Sequence, residues 1–146
     1  MVERGVVAKA LLVPALALVA WTFVMWSWMY ATRLPAMRRA RIRPDRFAAR
    51  GEQMAQLPPE VRWKADNYNH LFEMPTVFYP TLIALALLGP AHPTDVALAW
   101  AYVGLRVAHS LLQALLNVIE LRFVLFIASS LVLLALVIRA LEAALG

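Results

Sequence analysis

Arg62, Asp66, Asn69 and Glu73 recur at intervals of four, three and four residues, so on a helix they would share one face. Glu73 opens directly onto the apolar run from Thr76 to Leu88. A carboxylate inside a membrane span is costly enough to suggest a functional site, provided a partner can be named. Two partners are available in a second apolar stretch, Arg106 and His109. They belong to a stripe, Tyr102, Arg106, His109, Gln113 and Asn117, spaced four, three, four and four. Lipid does not accept such a stripe, so it must face protein or a wet cavity. Arg122 follows at the start of the last apolar run.

Several chemistries fit these residue types. A carboxylate holds an ammonium group, and arginines hold carboxylates with bidentate geometry. A positive field, reinforced by Arg122 at a helix N-terminus, would also lower the pKa of a bound thiol. An anionic thiol peptide such as glutathione carries all of these groups. Glu73 and Arg106 could instead form a buried ion pair, with Asn69, His109 and Gln113 as interhelical hydrogen-bonding groups. His70, three residues before Glu73, together with His109 suggests a metal site. One carboxylate and two histidines fall short of the paired Glu-x-x-His di-iron pattern. Glu73 and His109 also suit a proton relay, although four helices without a broken-helix repeat make a poor transporter.

The elements that must position these residues are membrane helices. The 146-residue chain is 62% hydrophobic and 16% charged, against about 45–50% and about 25% in soluble domains. It contains no cysteine, which excludes disulfides and thiolate zinc sites. The net charge of +5 is concentrated in one region: nine of the fourteen Lys and Arg lie between Arg33 and Lys64, against Asp45, Glu52 and Glu60. Clustering beside a span is the mark of a cytoplasmic loop facing anionic headgroups, not of a nucleic-acid surface.

The pattern predicts one all-α membrane domain over residues 1–146, a four-helix bundle subunit with spans at about 6–32, 62–88, 94–117 and 122–141. The first uncharged run outlasts a signal-peptide core and has no clear cleavage site, so it reads as a retained span. A basic loop over 33–61 carries Arg38, Arg39, Arg41, Arg43, Arg46 and Arg50, with a short surface helix expected within 45–56. Gly89-Pro90-Ala91 ends the second span, His92 is expected as an exposed loop residue, and Thr94 caps the third span. Four spans with this loop inside put both termini on the non-cytoplasmic side. Twelve arginines to two lysines point to a bacterial protein, hence to an inner membrane.

Arg62, then Asn69-His70-Leu71-Phe72-Glu73-Met74-Pro75-Thr76-Val77-Phe78-Tyr79, then Arg106-Val107-Ala108-His109-Ser110, then Arg122, together resemble the MAPEG family of membrane-associated proteins in eicosanoid and glutathione metabolism. The resemblance implies a homotrimer of four-helix subunits with glutathione held between subunits on the cytoplasmic side. It further implies a transferase or peroxidase acting on lipophilic electrophiles. Carried onto this chain, Asn69, His70, Glu73, Arg106, His109 and Gln113 would bind glutathione, and Arg122 would stabilise its thiolate. Departures are His70 where the family commonly has asparagine, and Gln113 and Phe126 where several members carry tyrosines. The family also includes a non-catalytic lipid binder, so a lipid-binding or accessory-subunit role stands as the alternative. Expected partners are membrane lipids, a lipophilic small molecule and two further copies of the chain, with no nucleic acid.

Overall fold

The computed structural model describes residues 2–49, 51–88 and 92–146; Arg50 and the Gly89-Pro90-Ala91 exit turn lie outside them. The elements are α1 (Val2–Arg39), α2 (Glu52–Ala55), α3 (Pro59–His70), α4 (Pro75–Leu88), α5 (Pro93–Leu115) and α6 (Ile119–Leu145), with no strand among the described residues. Three stretches, Lys9–Arg39, Pro59–Leu88 and Ile119–Leu145, are long and apolar enough to cross a membrane. α5, at 23 residues, is shorter than these but still long enough to span, and it carries the polar stripe.

α1 runs well past the expected end at 32, through Pro35, into the arginine-rich segment. It closes in a Schellman arrangement: Arg41 takes the left-handed conformation (φ 52°), its N–H bonds Arg38 O, and the Ile42 N–H bonds Met37 O. The basic loop is therefore shorter than 33–61, and its surface helix shrinks to the four residues of α2.

The second span is not continuous. Pro75 has no N–H to return to Leu71 and disfavours helical backbone at Met74. The chain breaks over residues 71–74, and α4 restarts with Pro75 at its head. Glu73 thus lies in the break rather than on the face of Arg62, Asp66 and Asn69.

A polar stripe runs through the interior while apolar side chains cover much of the outside. Tyr102, Arg106, His109 and Gln113 are each 3% exposed or less, while Leu16, Phe23, Leu87 and Phe123 stand outward at 63–80%. This inversion fits a lipid-facing surface. α5 is the axis, packed on α6, α1 and α3, with α4 against α1 and α6. Leu11, Leu18 and Met25 of α1, Leu82 of α4, and Leu133 and Leu136 of α6 fill the apolar core. Phe78 of α4 stacks on Tyr102 of α5 at 4.3 Å between ring centroids.

A single chain buries Tyr102, Arg106, His109 and Gln113 of the stripe and leaves Asn117 half-buried at its end.

Candidate functional site

The site forms where the helix break meets the α5–α6 turn. His70, Glu73, His109, Ile119, Arg122, Phe123 and Phe126 line a pocket of about 380 Å³. Four of the sequence-predicted residues, His70, Glu73, His109 and Arg122, are brought together; Asn69, Arg106 and Gln113 are not.

Arg122 sits in the first turn of α6, and its Nη1 donates to Asn117 Oδ1. Asn117 can offer that oxygen because it ends α5 in the left-handed conformation (φ 52°), which asparagine tolerates better than most residues. The Arg122 Nε is buried without a hydrogen-bond partner. A guanidinium oriented on one edge and unsatisfied on another is suited to an anion.

One of the sequence readings pairs Glu73 with Arg106 as a buried ion pair. The side chain is instead 56% exposed, and its Oε2 lies 2.7 Å from His70 Nδ1. With the carboxylate ionised, Nδ1 carries the hydrogen and Nε2 is left free. The rings of His70 and His109 meet edge to face at 6.1 Å between centroids.

Arg106 has a different role. It is buried, and its Nη2 donates to the backbone carbonyl of His70 at 2.7 Å. In an unbroken helix that carbonyl would be taken by the Met74 N–H; in the break the Glu73 N–H reaches it only at 3.4 Å, and the guanidinium meets the negative end of α3. Lys64 does the converse, donating to Ala114 O at 3.2 Å near the end of α5. Each of these antiparallel helices thus carries a buried cation that caps the other.

Asn69 is exposed and lines a separate pocket of about 430 Å³ with Arg33, Arg62 and Asp66. The 62, 66, 69 face exists, but it leads away from Glu73. Gln113 is buried and does not line the pocket.

Sequence reasoning missed two features. Lys64, Asn67 and Leu71 form the buried face of α3; their three- and four-residue spacing was visible in the sequence but obscured by the charge of Lys64. Asp95 is buried and pairs with Arg139 across α5 and α6, while also accepting the backbone N–H of His92 at 3.0 Å. His92, exposed as expected, is the N-cap of α5 in place of Thr94, its Nδ1 accepting the Thr94 N–H.

The MAPEG family model matches residues 11–141 of the chain. The chain belongs to the MAPEG family. No curated protein and no solved structure matches it. In this MAPEG protein, Phe126 lines the pocket on the same face as Arg122, so the wall there is a ring without a hydroxyl.

Proposed function

We propose that this MAPEG protein is a glutathione-dependent transferase or peroxidase acting on lipophilic electrophiles, with its site in the His70, Glu73, His109 and Arg122 pocket. The observation that carries the reading is convergence: an arginine with an unused buried donor and an unpaired-by-arginine carboxylate share one open pocket with an apolar wall. Glutathione, when bound, supplies a nucleophilic thiolate.

The residues divide the work by charge. Arg122 lines the pocket as its positive charge, and Asn117 keeps the guanidinium from swinging away. Glu73 can exchange its His70 contact for an ammonium group. His70 and His109 provide hydrogen-bonding nitrogens beside them. Ile119, Phe123 and Phe126 form an apolar surface for the electrophile and exclude water from it.

In this reading Arg106 supports the site through the His70 carbonyl, and Asn69 and Gln113 stand outside the ligand pocket. The homotrimer, the non-cytoplasmic termini and the bacterial inner membrane remain part of the proposal. The trimer rests on family resemblance alone, and native mass spectrometry in mild detergent showing only monomer would remove it.

Isothermal titration of the detergent-purified protein with glutathione, beside a chlorodinitrobenzene conjugation assay, tests the function. Binding with turnover is expected. A second reading, non-catalytic lipid binding, is favoured by the aromatic wall and the missing hydroxyl at Phe126. Absence of glutathione binding at millimolar concentration would overturn the first reading and favour the lipid-binding or accessory-subunit one.

A further inference from the structure

The unexpected extension of α1 creates a second feature at its arginine-rich end. Between the last turns of α1 and the segment leading into α3 lies a groove of about 560 Å³. Its walls include Pro35, Ala36, Pro58 and Val61, with Gln56 alongside and Arg39 as its one charged residue. No carboxylate lines it.

The surrounding charge is unusually free. Among the described residues the ion pairs are His70–Glu73 and Asp95–Arg139, so Arg38, Arg39, Arg41, Arg43 and Arg46 have no carboxylate partner. The nearby acids are occupied by the backbone: Asp45 accepts the Phe47 N–H at 2.9 Å and Glu52 the Ala49 N–H at 3.1 Å. Phe47 is 81% exposed, with the Arg46 guanidinium 4.6 Å from its ring centroid. An exposed aromatic ring among unpaired arginines, next to a spanning helix, is suited to a headgroup interface.

We infer that this groove binds one anionic glycerophospholipid, with its phosphate on Arg39 and the upper part of an acyl chain along Pro35, Ala36, Pro58 and Val61. Charge complementarity selects the anionic headgroup, and the apolar walls select a lipid over a free phosphate. Thr32, also in the groove, spends its hydroxyl hydrogen on the Trp28 and Met29 carbonyls and so adds no competing donor. The inference is independent of the glutathione pocket, which has different lining residues.

Native mass spectrometry of the full chain in mild detergent tests it, using dioleoylphosphatidylglycerol and dioleoylphosphatidylcholine in equal amounts. Retention of the anionic lipid should exceed that of the zwitterionic one by about five-fold or more, the effect of one arginine near a headgroup. Arg39→Gln should bring the ratio close to one, whereas Arg38→Gln, whose side chain is outside the groove, should leave most of it. Arg39→Lys should keep part of the preference, and Ala36→Trp should reduce retention with the charge unchanged. Circular dichroism matching wild type certifies the fold of each variant. Equal retention of the two lipids by wild type would overturn the inference. So would equal losses in Arg38→Gln and Arg39→Gln, which indicate diffuse attraction, or displacement of the lipid by millimolar inorganic phosphate.

Discussion

Two carboxylates in this molecule occupy opposite situations. Asp95 is buried, paired with Arg139 and bonded to the His92 N–H, so its charge is committed to joining α6 to the start of α5. Glu73 lies in a helix break, is more than half exposed, and has only His70 as a partner. Arg106, one of the two partners the sequence offered it, is bonded to the His70 carbonyl. The fold thus satisfies its internal arginine with a backbone group and leaves the carboxylate open. A closed pair serves architecture, while an open carboxylate beside an anion-seeking arginine is available to a ligand.

The largest expected effect lies on the closed side. Asp95→Ala should lower stability by about 2 kcal/mol through loss of the charge-assisted bond with His92 alone, with further loss from the pair, and leave glutathione affinity near wild type. Thermal unfolding in detergent, paired with titration, reads both. On the open side Arg122→Ala should weaken glutathione binding about tenfold or more, as expected for a lost ionic hydrogen bond, without changing the unfolding temperature of the free protein. Equal destabilisation by the two substitutions would erase the distinction between them.

A smaller effect separates positioning from contact. Asn117→Gly keeps the left-handed backbone available at this residue (φ 52°) while removing the Oδ1 that orients Arg122. Affinity should fall by about five-fold, equivalent to one ordinary hydrogen bond. Titration that finds no change would mean Arg122 reaches its ligand without Asn117.

Much of this was legible in the residues. The apolar runs announced membrane helices, and the 102, 106, 109, 113 spacing announced a stripe that must turn inward, as it does. Arg106 and His109 were the partners the sequence offered for Glu73; the structure brings His109 to it, together with His70 and Arg122, and gives Arg106 another acceptor. The partner of Arg106 was not legible, because its acceptor is a backbone carbonyl freed only by the break. Pro75 was the available warning, since the residue before proline resists the α conformation. Reading Thr76 to Leu88 as one continuous apolar run with the preceding polar helix hid it. The Asp95–Arg139 pair spans 44 residues, and no periodicity within one helix can reveal a contact between two.

The account is tested most directly by thermal unfolding of Glu73→Gln, measured with and without saturating glutathione beside wild type. A ligand that binds only the folded protein raises its apparent stability by mass action. The free variant should unfold close to the wild-type temperature, because Glu73 is more than half exposed and makes no ion pair with a buried cation, and the upward shift that glutathione is expected to give wild type should be lost or sharply reduced. A free variant destabilised like Asp95→Ala, yet retaining the full glutathione shift, would contradict the account and return Glu73 to the scaffold.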